Sequence, residues 1–252
     1  GLASPERRRR RRRRGRAKHR VAQHLVSSSA EILLYNAARR TNAITSGQGS
    51  CTTLWMSALQ LVESGMILVM TETARQNSSR AERGSCNECS YIIQHRLTTA
   101  PGGERQTNAF GGIAVMCPNS WWMTMAPFEG NEQWKAQYCL RATIRKKEMV
   151  VHILAVYLPP RGSTWWRNPS AFSQVAPSYQ DVVHEIAADI RSMHAAETRW
   201  GTTSLDGGIR LVAGDFNLHI GNLSPCPWVR RTGDRRGAST DGRLFIRSFS
   251  SA

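Results

Sequence analysis

The sequence lacks any long apolar run. No stretch approaches the ~20 consecutive apolar residues that a membrane-spanning helix needs, so we predict no contact with a membrane. The segment after the N-terminal arginines, Val21–Ser29, is too short and too polar to be the apolar part of a secretory signal. These absences predict a soluble, intracellular protein.

Cysteine is sparse, and no internal repeat of fixed period is present. Six cysteines in 252 residues without a secretory signal indicate reduced thiols rather than a disulfide framework. The missing repeat excludes solenoid and propeller architectures. Apolar residues make up 40% of the chain, which is enough for one large α/β domain with a core, or for two small ones.

Acidic residues are few, and the basic residues that outnumber them are unevenly distributed. The chain has 18 acidic and 34 basic residues, for a net charge of +16. Residues 1–20 hold eleven basic residues and one acidic residue, which gives +10 and leaves +6 for the rest. We predict a disordered basic arm at residues 1–29 and a folded domain at residues 30–252. Such an arm suits DNA, with RNA as a second candidate, although a solvated tail without a partner is the alternative.

The N-terminal part of the domain has a strand–helix–strand pattern. Ile32–Tyr35 is a short apolar run and predicts a buried strand. Thr52–Val62 has apolar residues at helical spacing, and Met66–Met70 predicts a second buried strand. This order is typical of an α/β layer.

The middle of the chain is less regular. Residues 74–110 are polar, and we predict a single strand there, at Tyr91–His95. Met149–Tyr157 is nearly all apolar, which predicts a central strand covered on both faces. Ser178 and Asp181 form a capping-box pattern before an amphipathic helix.

The strongest local motif for chemistry follows a predicted strand at Ile209–Ala213 and reads Gly214-Asp215-Phe216-Asn217. Asp215 and Asn217 are two residues apart, so their side chains point to the same side of an extended chain. A carboxylate beside an amide is suited to orienting a water molecule against a phosphate group. Taken alone, the motif is also compatible with an ordinary turn after a strand.

Gly214–His219 resembles the Gly-Asp-Phe-Asn-x-His signature of the endonuclease/exonuclease/phosphatase superfamily, especially the endonuclease domains of non-LTR retrotransposons. Four other segments are similar to motifs of that family and occur in its order: Leu33–Asn36, Ile67–Thr73, Gly111–Val115 and Val156–Pro160. The resemblance implies an α/β fold, a four-layer sandwich of two mainly antiparallel β-sheets flanked by helices. The active site is then expected at one end of the sheets.

The same resemblance implies roles for five residues. Glu72 is the expected ligand of Mg²⁺, with Mn²⁺ as an alternative, and Asn36 binds metal-bound water or phosphate beside it. Asp215 orients or deprotonates the attacking water, and Asn217 fixes Asp215 and the scissile phosphate. Tyr157 donates its hydroxyl to a phosphate oxygen. The structural alternatives are a strand-end carboxylate for Glu72, a loop amide for Asn36 and a strand-capping ring for Tyr157.

A basic and aromatic segment follows Tyr157. We predict that Trp165 and Trp166 stack on nucleic-acid bases and that Arg161 contacts the same DNA. Packing of the two indole rings in the core or in a loop is the alternative.

The sequence departs from the family pattern after Asn217. Family members carry a final Asp-His pair whose His contacts the scissile phosphate, and none of the 35 residues that follow Asn217 forms this pair. The chain also begins with Gly1 rather than Met. We therefore expect a piece of a longer polyprotein that lacks the last strands of the domain and has reduced or no activity.

The resemblance implies metal-dependent phosphodiester hydrolysis, in the form of DNA nicking that primes reverse transcription in the nucleus. Three alternatives stay open. They are a phosphatase of the same superfamily that acts on inositol phosphates or lipid head groups, a non-catalytic nucleic-acid-binding remnant, and a degenerate copy without a selected function.

Overall fold

The computed structural model describes residues 30–36, 53–73, 81–86, 89–94, 97–99, 105–107, 111–167, 175–195, 199–200, 203–205, 207–218 and 239–250. The chain divides into residues 1–31 and residues 32–252, and every strand and helix below belongs to the second unit. The predicted arm at residues 1–29 and the residue His219 lie outside the described residues.

The elements follow one another along the chain in a mixed order of strands and helices. In the N-terminal half they are β1 (Ile32–Asn36), α1 (Thr53–Glu63), β2 (Ile67–Thr71), β3 (Ala81–Cys86), β4 (Cys89–Gln94), β5 (Leu97–Thr99), β6 (Arg105–Thr107), β7 (Ile113–Pro118) and β8 (Trp122–Ala126). A 3₁₀ helix at Gly130–Gln137 follows. The remaining elements are β9 (Cys139–Lys146), β10 (Met149–Tyr157), a 3₁₀ helix (Thr164–Arg167), α2 (Tyr179–His194), β11 (Arg199–Trp200), β12 (Thr203–Ser204), β13 (Ile209–Asp215) and α3 (Thr240–Ser250).

Two sheets form the body of the fold. The five-stranded sheet has the order β1-β2-β7-β4-β3, and the four-stranded sheet has the order β13-β10-β9-β8. Only the pairs β1–β2 and β10–β13 are parallel, so both sheets are mainly antiparallel. Strands β2 and β7 lie against β9, β10 and β13 of the other sheet. The predicted α/β class with two facing, mainly antiparallel sheets is confirmed.

Helix α1 covers the outer face of the five-stranded sheet. Leu68 and Met70 of β2 form a buried cluster with Ala58, Leu59 and Val62 of α1. Because side chains alternate along a strand, the other residues of β2 point toward the second sheet. The predicted buried strand at Met66–Met70 and the helix before it are therefore confirmed.

Helix α2 lies on the outer side of the four-stranded sheet. Its N-terminus has the predicted capping box, in which the Ser178 hydroxyl accepts from the Asp181 N–H and the Asp181 carboxylate accepts from the Ser178 N–H. Further along the helix, Asp189 reaches Arg141 of β9 at 3.3 Å. The helices cover the sheets only in part, since three α-helices are described for two sheets.

Two local predictions are wrong. The segment Ile32–Tyr35 was expected to be buried, but Leu33 and Leu34 are 36% and 45% exposed because β1 is at the edge of its sheet. Residues 74–110 contain more strands than the one predicted. Strand β3 pairs with β4, and β5 pairs with β6. The polar sequence of β3, with Glu82, Arg83 and Ser85, has no apolar alternation to mark it, and its pairing with β4 defines the strand.

Among the helices that the structure describes, none is both long enough and apolar enough to cross a bilayer.

Candidate active site

A hydrogen bond between Tyr157 and Glu72 joins the two sheets at one end. Tyr157 is the last residue of β10 and is only 5% exposed. Glu72 follows the last residue of β2 and is half-buried. The Tyr157 hydroxyl donates to Oε1 of Glu72 at 3.0 Å. The carboxylate predicted to bind metal and the hydroxyl predicted to face phosphate are therefore in direct contact.

Asp215 lies beside Tyr157 in the next strand. The parallel register of β10 and β13 pairs Tyr157 with Asp215, and the Leu158 N–H donates to the Asp215 carbonyl at 2.8 Å. Paired residues of neighbouring strands project from the same face of a sheet. The side chain of Asp215 therefore leaves the sheet on the side of Tyr157, toward the strand that precedes Glu72.

The close pairing of these strands depends on glycine at position 214. A Cβ atom at Gly214 would lie 1.9 Å from the Val156 carbonyl oxygen. No side chain fits at that distance, so glycine is needed for the last pairs of the β10–β13 register. The glycine of the motif thus has a structural reason for its position directly before Asp215.

Asn217 closes the turn after Asp215. Its N–H donates to Oδ1 of Asp215 at 2.9 Å, and its side-chain Nδ2 donates to the Leu158 carbonyl at 3.0 Å. The first hydrogen bond closes an ordinary turn after a strand, which was the alternative interpretation of the motif. The second hydrogen bond attaches this turn to the residue after β10. The hydrogen bond that forms the turn is therefore also the one that restrains the Asp215 side chain.

Glu72 and Asn217 both have left-handed backbone conformations, with φ of 54° and 47°. Residues other than glycine pay a steric cost there, larger for Glu than for Asn. Such strain is often found where a side chain must be held in a functional orientation. The two strained residues lie on the two sheets, one on each side of Tyr157.

Asn36 reaches the same end of the fold through strand pairing. It is the last residue of β1 and pairs with Thr71, the residue before Glu72. The placement of its side chain is outside what the structure describes. Four of the five predicted residues are thus linked by hydrogen bonds or direct strand pairing, and Asn36 joins them by its backbone position.

The donor set at this end fits a hard divalent cation. In the described part of the chain, no three His, Cys, Asp or Glu side chains form a metal-binding group. Mg²⁺ usually takes one or two carboxylates from the protein and keeps several waters, so Glu72 and Asp215 match its needs. The hydroxyl of Thr71, next to Glu72, is buried and has no hydrogen-bond partner among the described residues. The Thr71 hydroxyl is thus a further oxygen atom next to Glu72.

Trp165 packs behind Tyr157 and supports its ring. The two rings meet edge to face, with centroids 5.8 Å apart, and Trp165 is 4% exposed. A Cβ atom at Gly111, where φ is +79°, would lie 2.3 Å from the indole ring, so the glycine makes room for it. The burial of Trp165 favours the packing alternative over its predicted stacking on DNA bases.

Trp166 is more accessible but is also held in place. Its ring stacks on Tyr138 with centroids 5.6 Å apart and meets the edge of Tyr179 at 5.1 Å. Its Nε1–H donates to the Pro160 carbonyl at 2.9 Å. The ring is half-buried, so at most one edge is available to a base.

Arg161 is the most exposed of the three predicted DNA contacts. Its side chain is 52% exposed, and its Nη1 pairs with Oδ1 of Asp241 on α3 at 3.1 Å. The guanidinium lies 5.9 Å from the ring centroid of Tyr179. Burial, and then the negative charge of Asp241, raises the pKa of the Tyr179 hydroxyl.

Sequence reasoning missed the contribution of α3 to this region. Phe245 of α3 contacts Phe216, the residue between Asp215 and Asn217, with ring centroids 5.3 Å apart. Phe216 could have indicated this contact, because an apolar side chain in a polar turn is expected to be buried by another part of the chain.

Comparison with known proteins does not name a family. No family model matches the chain, and no curated protein matches it significantly.

Proposed function

We propose that this chain is a Mg²⁺-dependent phosphodiesterase of the endonuclease/exonuclease/phosphatase type, which nicks DNA as part of a retrotransposon-type polyprotein. The proposal includes DNA as the partner and the nucleus as the location. Mn²⁺ is the alternative cation, and RNA is a second partner for the arginine-rich arm.

The hydrogen bond between Tyr157 and Glu72 carries this proposal. It brings together two side chains that are 85 residues apart, and the resemblance assigned both to one phosphate-cleaving site. Asp215, paired with Tyr157, and Asn217, bonded to Asp215, add the remaining polar groups. The strained backbone of Glu72 also supports a functional role for its side chain.

Each residue has a distinct task in the proposed reaction. Asp215 accepts a proton from the attacking water or orients that water through its carboxylate. Asn217 positions Asp215 through its backbone N–H and ties the turn to Leu158. Tyr157 holds Oε1 of Glu72, which orients the carboxylate proposed to bind the cation. Bound Mg²⁺ supplies Lewis-acid stabilisation of the negative charge on the phosphate.

The proposal is tested by nicking of supercoiled plasmid DNA by the 252-residue chain, with and without Mg²⁺. Relaxed circles report single nicks, so that even a slow reaction can be measured. The variants Glu72→Gln and Asp215→Asn are expected to reduce nicking by about 100-fold or more. Glu63→Gln, at the exposed C-terminal end of α1, is the matched control and is expected to cut like the wild type.

Two results would overturn the nuclease proposal. One is nicking by the wild-type chain that proceeds at the same rate with and without Mg²⁺. The other is nicking that persists in Glu72→Gln at the rate of Glu63→Gln. Circular dichroism of each variant checks that a loss of nicking is not a loss of folding.

A non-catalytic nucleic-acid binder is the second candidate, favoured by the exposed cation Arg161 and the basic arm. It predicts salt-sensitive DNA binding that is unchanged in Glu72→Gln and Asp215→Asn, together with no nicking. The phosphatase alternative predicts phosphate release from inositol phosphates in place of plasmid nicking. The same set of proteins therefore separates the three functions.

A further inference from the structure

A small basic cavity lies between the start of α2 and helix α3. Its volume is about 280 Å³, and its wall includes three arginines and one carboxylate: Arg161, Arg243, Arg247 and Asp241. Gln180 and Thr240 add polar side chains. We call this cavity the arginine groove. Its formal side-chain charge is positive, since three guanidinium groups face one carboxylate.

The helical periodicity of α3 places two of the groove arginines on the same face of the helix. Gly242 and Ile246 are four residues apart and form the buried stripe of the helix. Arg243 and Arg247, also four residues apart, lie on one exposed face. Ser239 caps the helix by accepting a hydrogen bond from the Gly242 N–H at 3.0 Å. The two arginines are therefore held at a fixed spacing on a defined helix.

The groove is attached to both loops of the candidate active site. Arg161 follows Tyr157 by four residues in the loop after β10. Phe245, between the two arginines of α3, packs on Phe216 of the motif at 5.3 Å. Phe245 is on the opposite face of α3 from the two arginines, so the groove lies across this helix from Phe216, and Arg161 connects it to the loop that follows Tyr157.

We propose that the arginine groove binds a backbone phosphate of DNA on one side of the phosphodiester that is cut, an inference that rests on the proposed function. Guanidinium groups bind phosphate through paired hydrogen bonds, and three arginines line this cavity. The cavity admits a phosphate and part of a sugar, but its volume is too small for a stacked base pair. The exposed pair between Arg161 and Asp241 holds Arg161 at the groove until a phosphate replaces the carboxylate.

The test is the binding of a fluorescently labelled 20-base-pair DNA duplex to the full chain without Mg²⁺, followed by anisotropy over a series of salt concentrations. Arg243→Gln/Arg247→Gln removes two groove charges. Arg145→Gln/Lys147→Gln, at the exposed β9–β10 turn, removes two charges elsewhere and is the matched control. All variants keep the arginine-rich arm, so its contribution cancels in the comparison.

We expect the groove variant to bind at least 10-fold more weakly and to lower the slope of log affinity against log salt by about 0.9, which corresponds to one lost phosphate contact. The control is expected to keep most of its affinity. Asp241→Asn removes the only groove carboxylate in the described wall and is expected to tighten binding about 2- to 5-fold. A misfolded variant would not bind more tightly, so this variant keeps the test independent of folding.

Equal losses of affinity in the groove variant and the control would overturn the proposal. An Asp241→Asn variant with unchanged or weaker binding would also overturn it. Because the duplex is not cut without Mg²⁺, a failure of the groove leaves the plasmid-nicking result standing. Conversely, a failure of nicking leaves groove-dependent binding measurable.

Discussion

The Tyr157 hydroxyl donates a hydrogen bond to Oε1 of Glu72 across 3.0 Å, from the end of one sheet to the end of the other. The bond orients the carboxylate, and Trp165 packed against the Tyr157 ring limits the movement of the donor. It also links the candidate chemistry to the sandwich fold, because the two residues meet only when the two sheets face each other.

Loss of this hydroxyl should weaken the site without unfolding the protein. Tyr157→Phe keeps the ring and its contact with Trp165 but removes the restraint on Glu72. Groups that orient a metal ligand typically contribute 10- to 100-fold to affinity or activity, so we expect a loss of about that size in the Mg²⁺-dependent nicking rate. Tyr91→Phe, in the five-stranded sheet, is the matched control. Equal nicking by both variants would show that the bond has no role in the reaction.

Gly214 should tolerate no other residue. In Gly214→Ala the new Cβ would approach the Val156 carbonyl oxygen to 1.9 Å, so the end of β13 must move away from β10 and take Asp215 with it. We expect a loss of about 2 kcal/mol or more in the free energy of unfolding, measured by urea titration. Gly162→Ala, where a Cβ meets nothing within 4 Å, is expected to stay within ~0.5 kcal/mol of the wild type. Similar stabilities for the two variants would mean that β13 adjusts without strain.

The parts of the fold with strong local signals could be predicted from the sequence. The apolar run of β10 marks a central strand, and the spacing of Ser178 and Asp181 gives the capping box of α2. Two edge strands, β1 and β3, were predicted poorly, because the local sequence does not show that each has a hydrogen-bond partner on one side only. Thus β1 was expected to be more buried than it is, and the polar strand β3 was missed.

The individual residues of the candidate site could be predicted from the sequence, but the contacts between them could not. The resemblance named Glu72, Tyr157 and Asp215, while their contacts come from strand register and sheet packing over long separations in sequence. The burial of Trp165 depends on a cavity made by Gly111, which sequence reasoning did not connect with it. The arginine groove was missed for the same reason, since Arg161 and Arg243 are neighbours only after folding.

His152 should make stability depend on pH in the weakly acidic range. Its ring is fully buried, 3.0 Å from the Thr143 hydroxyl and edge-on to Trp200. Burial, followed by the charges of Arg145 and Arg210, lowers the pKa of His152 below its ordinary value of 6.5. As the pH falls below 6.5, the unfolded chain takes up a proton before the folded one. This residue's contribution to stability is therefore complete above that pH and is lost as the pH falls toward the lowered pKa of the folded state.

We expect the free energy of unfolding of the wild type to fall between pH 6.5 and pH 5, with His152 contributing a slope of up to ~1.4 kcal/mol per pH unit. His152→Gln should flatten this slope, whatever its effect on stability at neutral pH. His184→Gln, at an exposed position of α2, is the matched control. Parallel pH profiles for the two variants would contradict the assignment.

Lys135 is the centre of a charged cluster between the 3₁₀ helix at Gly130–Gln137 and α2. Its side chain is 6% exposed, and its Nζ lies 2.9 Å from Glu132, 2.8 Å from Glu185 and 3.2 Å from Asp189. Burial alone would lower the pKa of Lys135, but its hydrogen bonds to Glu185 and Glu132 outweigh that effect and raise the pKa. Burial raises the pKa of Asp189, an effect that Arg141 and Lys135 offset only in part. Without Lys135, Arg141 is the one cation left for these three carboxylates, of which Asp189 is the buried one.

Lys135→Met should therefore lower the free energy of unfolding by about 3–5 kcal/mol, as expected when one partner of a buried ion pair is lost. Lys147→Met, at an exposed position of the β9–β10 turn, should change it by less than ~0.5 kcal/mol. Adding Asp189→Asn to Lys135→Met removes the buried one of the three carboxylates and leaves Arg141 paired with Glu132, so it should recover part of the loss if the charge imbalance rather than the packing of the lysine causes it. Recovery would be absent if the destabilisation came from a cavity, since Asn fills no more space than Asp. Urea titrations of the three proteins at pH 7 separate these causes.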